Sequence, residues 1–262
     1  ALFWSASTWL LPAIPLKRFG SSAVRDVAGM QSLPGGVGRG GWVKICGITT
    51  ARDIDLCAAA GADAVGLNLW SRSPRAVSLE LAAQLAERAR GLLEVVVVLV
   101  NPGAEWLQAV VERVQPTRLQ FHGDEPPHTV AAWQPRAYKA VGLAGSCDVD
   151  SALAQPGHWV LVDARDITRR GGTGRQPPLR LAKAVAAQRP VVLAGGLTPD
   201  NVVDRIEQVG PVGVDSASGV EAAPGRKDAH AVREFVARAR SAWRGSTIGE
   251  ARGGGTEAAR DV

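Results

Sequence analysis

The sequence has few cysteines, no long apolar run and no block of like charge. Its 262 residues include three cysteines, Cys46, Cys57 and Cys147, which lack metal-ligand spacing and leave one thiol over in any disulfide scheme. This pattern indicates a reducing compartment, and we expect a cytoplasmic location. No stretch approaches the ~20 apolar residues of a membrane span, so we expect no membrane partner.

The charge pattern gives little support to nucleic-acid binding. The formal net charge is +5, yet Lys and Arg are interleaved with Asp and Glu over most of the chain. A basic stripe or an aromatic platform would be needed to bind a phosphate backbone, and the sequence has neither. We therefore expect no nucleic-acid partner. A small phosphorylated substrate would satisfy the remaining attraction to anions.

The two ends of the chain differ in composition from the part between them. The first 15 residues are apolar and contain tryptophan, and the segment 35–41 is rich in glycine. We interpret 1–41 as an extension that is disordered, targeting-like or the product of an early translation start. Its cations follow the apolar part, the reverse of a secretory signal. We predict a folded domain over 42–242 and a flexible tail over 243–262.

From Trp42 onwards, eight apolar runs alternate with eight segments of helical spacing. The runs predict strands over 42–46, 62–67, 95–100, 118–121, 137–141, 159–162, 191–194 and 212–214. Helices are predicted over 50–60, 79–90, 104–114, a segment after Pro127 that holds Trp133, 149–154, 179–187, 199–208 and 228–242. Eight strand–helix units in roughly 200 residues predict a (β/α)8 TIM barrel. A doubly wound sheet would have its glycine-rich turn after the first strand, whereas here the glycines follow the seventh and eighth.

Reactive side chains stand at the ends of these predicted strands. Cys46 ends the first strand, Asp163 the sixth and Asp215 the eighth, while His122 and Arg75 lie in the segments after the fourth and second. Barrel enzymes have their active sites at the C-terminal ends of the strands. Free cysteine is also among the most buried residue types, so a packing role for Cys46 remains open on position alone.

Two glycine turns indicate the class of substrate. Gly195 and Gly196 follow the seventh strand, and Ser218 and Gly219 follow the eighth. Glycine lets backbone N–H groups approach an anion closely, and a helix N-terminus after the turn adds a favourable field. Turns after the seventh and eighth strands form the recurring phosphate site of this fold. The sequence therefore predicts a phosphate-binding site.

Six motifs, in order along the chain, give a resemblance to a known family. They are Lys44-Ile45-Cys46-Gly47-Ile48-Thr49, Ser73-Pro74-Arg75, Gln120-Phe121-His122-Gly123-Asp124-Glu125, Gly171-Gly172-Thr173-Gly174, 193–202, and Gly213-Val214-Asp215 with Ser218-Gly219-Val220-Glu221. From about Val43 to about Ala239, the chain resembles phosphoribosylanthranilate isomerase of tryptophan biosynthesis. The resemblance implies an Amadori rearrangement of N-(5-phosphoribosyl)anthranilate without a cofactor or a metal. It favours neither a monomer nor a homodimer.

The rearrangement needs an acid to open the sugar ring and a base to remove the proton from C2. Asp163 suits the acid and Cys46 the base, and the resemblance assigns the same roles. We expect Arg75 to bind the anthranilate carboxylate, because its planar fork matches a carboxylate. His122 either orients the substrate or fixes its own loop. Asp215 is a candidate acceptor for a sugar hydroxyl.

Two other functions stay open at this point. One is a different phosphosugar barrel enzyme, such as an indole-glycerol-phosphate synthase or a ribulose-phosphate epimerase. The other is a non-catalytic phosphosugar-binding barrel. The chain also departs from the family pattern in the loop 175–181, and it has Ala217 where the family has a serine. The first departure bears on how the loop beside Asp163 closes, and the second on a side-chain contact to phosphate.

Overall fold

Eight parallel strands form the centre of the molecule. The structure is a computed structural model that describes residues 40–163 and 179–250, with side chains through Arg244. Each strand pairs with the next along the chain and the eighth pairs with the first, so the barrel is closed. The strands are β1 (Trp42–Cys46), β2 (Ala64–Asn68), β3 (Glu94–Leu99), β4 (Arg118–Phe121), β5 (Ala137–Gly142), β6 (Val160–Asp163), β7 (Val191–Leu193) and β8 (Gly213–Ser216). The predicted TIM barrel is confirmed.

Eight α-helices among the described residues surround the strands. They are α1 (Ala51–Ala60), α2 (Leu79–Ala89), α3 (Ala104–Val114), α4 (Pro127–Ala131), α5 (Ser146–Leu153), α6 (Leu179–Ala186), α7 (Val202–Val209) and α8 (Ala229–Glu250). The first helix begins with a capped turn, because the Thr50 side chain accepts a hydrogen bond from the Asp53 backbone N–H at 3.2 Å. None of the helices described here has both the length and the apolar character needed to cross a membrane.

Side chains alternate along each strand between the barrel interior and the helix-covered side. A small buried cluster fills the interior, and a larger one lies between the strands and the helices. Aromatic rings form the floor of the interior: Trp159 packs on Trp42 and Tyr138 with ring centroids 5.6 and 4.0 Å apart. Because the period of a strand is two, Lys44 and Cys46 follow Trp42 on the inward face of β1.

Several helix limits differ from the sequence expectation. Helix α7 begins at Val202 instead of residue 199, because the Asn201 side chain accepts a hydrogen bond from Thr198 N–H at 2.9 Å and forms a turn first. Helix α5 begins three residues before the predicted start at residue 149. Helix α4 ends at Ala131, so Trp133 lies in the turn that follows it.

A hairpin after β8 is absent from the sequence expectation. A short 3-10 helix, Ser218–Val220, leads into two antiparallel strands, β9 (Glu221–Ala223) and β10 (Arg226–Lys227). The tip of this hairpin accepts a hydrogen bond at the Gly225 carbonyl from Thr49 Oγ1, at 2.6 Å. The hairpin therefore contacts the loop that follows the first strand, next to Cys46.

The first described residues are held against the last helix. Arg240 donates from Nη1 to the Gly40 carbonyl at 2.9 Å and also to the carbonyl of Gly41. The Trp243 indole occupies the place where a Cβ on Gly41 would lie. Two glycines of the glycine-rich segment 35–41 are thus fixed. Helix α8 continues eight residues beyond the predicted helix end at 242. Residues 1–39 and 251–262 lie outside the described part of the chain, so the proposed domain limits stay predictions.

Candidate active site

A cavity opens at the C-terminal ends of the barrel strands. Its volume is about 630 Å³, including its open mouth. All nine residues predicted for the site line it: Cys46, Arg75, His122, Asp163, Gly195, Gly196, Asp215, Ser218 and Gly219. Asn68, Ser73 and Gln120 contribute further polar groups to the wall. The barrel thus brings residues from six strand ends and their loops together in one cavity.

Cys46 ends β1 at the wall of this cavity. Its carbonyl oxygen accepts a hydrogen bond from Lys227 Nζ at 2.6 Å, which holds the end of the strand. Burial raises the pKa of the Cys46 thiol, and the positive charges of Lys44 and Lys227 offset only part of that rise. Any use of the thiolate as a base therefore depends on the cations around it.

Directly below Cys46, Lys44 is buried inside the barrel. Its Nζ donates to Asp215 Oδ2 at 2.7 Å and to Gln120 Oε1 at 2.8 Å. Burial alone would lower the pKa of Lys44, but the charges of Asp215, Cys46 and Tyr138 raise it well above its ordinary value. Lys44 is therefore a permanent cation beneath the cavity.

Gln120 connects this cation to His122. Its Oε1 accepts hydrogen bonds from Lys44 and from Tyr138 Oη, the latter at 2.8 Å, so the amide orientation is fixed. The amide nitrogen then donates to His122 Nδ1 at 2.9 Å. In a neutral imidazole the proton must consequently be on Nε2, which lies 3.5 Å from Asp163 Oδ2. His122 thus directs an N–H group towards the carboxyl group of Asp163.

Only one of the two carboxylate oxygens of Asp215 accepts a hydrogen bond. Oδ2 accepts from Lys44, whereas Oδ1 is buried and has no hydrogen-bond partner among the described residues. Asp215 also lines the cavity, which makes this oxygen a candidate acceptor for a ligand hydroxyl group. The role expected from the sequence stays a prediction.

Arg75 reaches the cavity while paired to a carboxylate from the hairpin. Its Nε and Nη2 donate to the two oxygens of Glu221 at 2.7 and 2.6 Å. Lys227 Nζ donates to Glu221 Oε1 at 2.8 Å and to the Ala217 carbonyl at 3.1 Å. Burial would raise the pKa of Glu221, but hydrogen bonds from Arg75 and the charge of Lys227 lower it. A buried ionic cluster of Arg75, Glu221 and Lys227 thus joins the loop after β2 to the hairpin after β8 at the rim.

The two glycine turns are adjacent and interlocked. Gly195 and Gly196 have φ values of 92° and 67°, in the left-handed region that favours glycine. Ser216 Oγ donates to the Leu197 carbonyl at 2.7 Å, and a Cβ on Gly219 would overlap that same carbonyl group. The turns after β7 and β8 therefore pack together with their backbones exposed to the cavity, as a phosphate site requires.

The described residues include no group of three or more His, Cys, Asp or Glu side chains arranged to hold a metal ion. The loop 164–178, with its glycine motif at 171–174 and most of the divergent segment 175–181, lies outside the described residues. Its effect on the site beside Asp163 stays a prediction.

Comparison with known proteins places this geometry in a family. The sequence model of the N-(5'phosphoribosyl)anthranilate (PRA) isomerase family matches residues 43–238. The chain is 40% identical over 206 residues to N-(5'-phosphoribosyl)anthranilate isomerase from Magnetococcus marinus, covering 79% of this chain and 98% of that protein. It is 41% identical to the protein of that name from Afipia carboxidovorans, covering 76% of this chain and 89% of the relative.

The chain belongs to the PRA isomerase family. Solved structures agree: the phosphoribosyl anthranilate isomerase of Thermotoga maritima is 34% identical, with a TM-score of 0.69 over 76% of this chain and 98% of that one. Another, in complex with reduced 1-(o-carboxyphenylamino)-1-deoxyribulose 5-phosphate, is 33% identical with a TM-score of 0.67, and the shares covered are again 76% and 98%. Family membership removes the support for a synthase, an epimerase or a non-catalytic barrel.

Four residues of this PRA isomerase site went unassigned in the sequence analysis: Lys44, Gln120, Glu221 and Lys227. All four are buried or partly buried polar groups that act through contacts with distant parts of the chain. A signal was available for Lys44, because it is the one charged residue in the apolar run of β1 and shares the inward face with Cys46. Gln120 and Glu221 lie in the motifs of the resemblance, but those motifs assigned them no role, and Lys227 lies outside every motif.

Proposed function

We propose that this chain converts N-(5'-phosphoribosyl)anthranilate to 1-(2-carboxyphenylamino)-1-deoxyribulose 5-phosphate with Asp163 as the acid and Cys46 as the base. One observation supports this assignment most directly. Both residues line a single cavity that also holds an arginine and two interlocked glycine turns. The cavity therefore offers an acid, a base and two separate anion sites, which are the groups that this substrate needs.

The two anionic ends of the substrate fix its orientation in this proposal. The phosphate binds at the backbone N–H groups of Gly195, Gly196, Ser218 and Gly219. The anthranilate carboxylate binds Arg75, whose Nη1 is not used in the pair with Glu221. Asp215 Oδ1 accepts a sugar hydroxyl group. A family member binds the reduced product analogue, which has the same two anionic groups, and this supports the arrangement.

The reaction begins with two proton transfers in this proposal. Asp163 gives its proton to the ring oxygen of the ribose, the C1–O bond breaks, and the nitrogen lone pair forms a protonated Schiff base at C1. The Cys46 thiolate removes the proton from C2, and the electron pair moves through C1 onto nitrogen to form the neutral enolamine. A proton from water then adds to C1 while the C2 hydroxyl group releases its proton, which gives the ketone product. Exchange with water returns the proton on Cys46 to Asp163 for the next turnover. His122 donates its Nε2–H to the Asp163 carboxylate that the first step leaves behind. Substrate and product are isomers, so no other reactant is consumed.

The cell compartment is part of the same proposal. All three cysteines of the chain are free, which supports a reducing cytoplasmic location.

The assignment of acid and base is tested by substitution in the full chain. We expect Cys46→Ala and Asp163→Asn each to lower kcat by at least ~10²-fold, with a smaller change in KM. The matched control is Cys147→Ala, because this thiol is exposed and lies outside the cavity. Turnover of N-(5'-phosphoribosyl)anthranilate by purified protein is the measurement, with growth of a tryptophan-requiring strain that lacks the isomerase as the cellular readout. Near wild-type kcat in the Cys46 variant would remove the base from this proposal.

A further inference from the structure

Lys44 is an unusual residue for the interior of a barrel. Its side chain is 0% exposed, although lysine is almost never fully buried unless it is paired. It lies two residues before Cys46 on β1, so both side chains project from the same inward face of the strand. The charge is thus placed directly beneath the thiol.

The pairing of Lys44 does not by itself explain why a charge is kept here. The ammonium contacts Asp215 Oδ2 at 2.7 Å and Gln120 Oε1 at 2.8 Å. Buried ion pairs are weak contributors to stability, because desolvation of both charges opposes their attraction. Apolar residues of similar volume often stabilise a fold equally well. The position therefore favours a role in the site above it.

Lys44 and Cys46 converge on one bare backbone position of the neighbouring strand. A Cβ built on Gly66 of β2 would lie 2.6 Å from Cys46 Sγ and 3.0 Å from Lys44 Cε. The absence of a side chain at Gly66 leaves room for both side chains. The thiol and the carbon that bears the lysine ammonium are consequently close neighbours.

Other charged and titratable groups also influence the thiol. They are Lys227 on the hairpin, Arg75 after β2, Asp215 on β8 and Tyr138 on β5. Arg75 and Lys227 are both committed to Glu221, and Asp215 is the partner of Lys44. Lys44 has the largest favourable effect on the thiolate among them.

We propose that Lys44 is the positioning residue that makes Cys46 usable as a base, by holding a fixed ammonium next to the thiolate. The proposal rests on the function assigned above. Lys44 stays protonated throughout: the C2 proton goes to the Cys46 sulfur, and Lys44 stabilises the thiolate before that transfer. Asp215 and Gln120 keep the ammonium in place, so the charge acts without reorganisation during the reaction.

The test is the titration of Cys46 itself, which needs no turnover. In full-length protein, the rate of alkylation by iodoacetamide is measured against pH, with each cysteine resolved by peptide mass mapping. We expect Lys44→Met, which keeps the length but not the charge, to move the Cys46 midpoint upwards by about 1 pH unit or more. The alkylation midpoint of the exposed Cys147 is measured in the same digest and should not change.

Two further variants separate charge from packing. Tyr138→Phe removes a hydrogen bond from Gln120 in the same network but no charge, so its Cys46 midpoint should stay within about 0.3 unit of wild type. If Lys44→Met fails to fold because Asp215 is left unpaired, Lys44→Met with Asp215→Asn removes both charges, and a smaller upward shift is expected.

The kinetic profile should follow the titration. The pKa that belongs to Cys46 in the profile of kcat against pH should move upwards in Lys44→Met by the same amount as the alkylation midpoint. An unchanged Cys46 midpoint in a folded Lys44→Met protein would overturn the proposal. Full activity of Cys46→Ala would instead contradict the proposed base, and it would leave the effect of Lys44 on the thiol standing.

Discussion

Arg75 combines a contact within the fold with the ligand contact that we propose for it. Two of its nitrogens bind Glu221 in a fork, and its aliphatic part packs where a Cβ on Gly47 would lie. This pairing holds the guanidinium in one orientation before a ligand arrives, which lowers the entropy lost on binding. The remaining nitrogen is then available for a planar carboxylate.

We expect Arg75→Ala to separate the two anion sites. It removes a charge-assisted contact worth about 1.5–3 kcal/mol, so the reduced product analogue should bind one to two powers of ten more weakly. Ribose 5-phosphate has no carboxylate, and its affinity should barely change because Lys227 still neutralises Glu221. Calorimetry with both ligands on both proteins gives the comparison. Equal weakening of the two ligands would place Arg75 in the phosphate site or in the fold.

At the scale of single residues, the sequence identifies those whose position along a strand determines their role. Cys46 and Asp163 could be predicted because a strand end in a barrel faces the cavity whatever the register. The hydrogen-bond partners of Lys44 and Gln120 could not be predicted, because they depend on how residues 76 and 171 positions apart align in the closed sheet. Strand tilt and register are properties of the closed sheet, and no local pattern encodes them.

The hairpin of β9 and β10 is the element that organises the rim. It brings Glu221 between Arg75 and Lys227, with side-chain exposures of 4%, 8% and 0% for the three residues. The Pro224-Gly225 pair between its strands is a turn signal that the sequence contains. Its contact with the loop after β1 could not be predicted from the sequence, because strands of three and two residues have no measurable period.

We expect Glu221→Gln to destabilise the fold by about 3 kcal/mol at neutral pH, because it leaves two buried cations without their counter-charge. The pKa of Glu221 is lowered in the folded state, so its contribution is present above the unfolded value and is lost as pH falls through the folded value. Urea unfolding at pH 7 and at progressively acidic pH should therefore show the difference from wild type shrinking below pH ~4.

The matched control for this element is Glu234→Gln. Glu234 pairs with Arg238 on the exposed face of α8, where ion pairs contribute little. Its cost should stay below about 0.5 kcal/mol at every pH. A pH-independent cost for Glu221→Gln would show that shape at the hairpin matters and that charge does not.

At the scale of the whole molecule, the first described residues and the last helix are joined below the barrel. Arg240 joins the carbonyls of Gly40 and Gly61 to Asp63 Oδ2, and the Trp243 indole donates to the Pro211 carbonyl at 3.1 Å. These contacts lie at the N-terminal ends of β1, β2 and β8, on the side of the barrel away from the cavity. The chain on either side of 40–244 is therefore attached far from the chemistry.

We expect removal of residues 1–39 and 245–262 to leave kcat unchanged and the melting temperature within about 3 °C. Every strand of the barrel lies inside the retained segment, and so do both partners of the Arg240–Gly40 and Trp243–Pro211 hydrogen bonds. In the truncated protein, Trp243→Ala should cost about 1–3 kcal/mol, because it removes a packed aromatic ring and a hydrogen bond. Thermal unfolding followed by circular dichroism measures both effects. A larger loss on truncation alone would show that the terminal segments pack on the barrel.

The barrel as a whole could be predicted because strand and helix periods repeat eight times with the lengths that this fold requires. The C-terminal limit of the last helix could not be predicted, since the segment 243–250 contains two glycines and has no continuous apolar period. The aromatic floor was also outside the prediction. Trp42, Tyr138 and Trp159 lie on strands far apart in the chain, and only closure of the sheet brings them together.

Lys227 connects the end of β1 to the turn after β8 with one ammonium group. It donates to the carbonyl of Cys46 and to the carbonyl of Ala217, in the turn where we propose that the phosphate binds. An anion bound at that turn and a negative charge on the thiol therefore share the same cation, and the two equilibria are thermodynamically linked. An anion bound at the turn disfavours the thiolate. By reciprocity, ionisation of the thiol lowers the affinity of the turn for the anion by the same factor. Loss of the proton taken from C2 would then restore the base and help to expel the phosphorylated product in a single event.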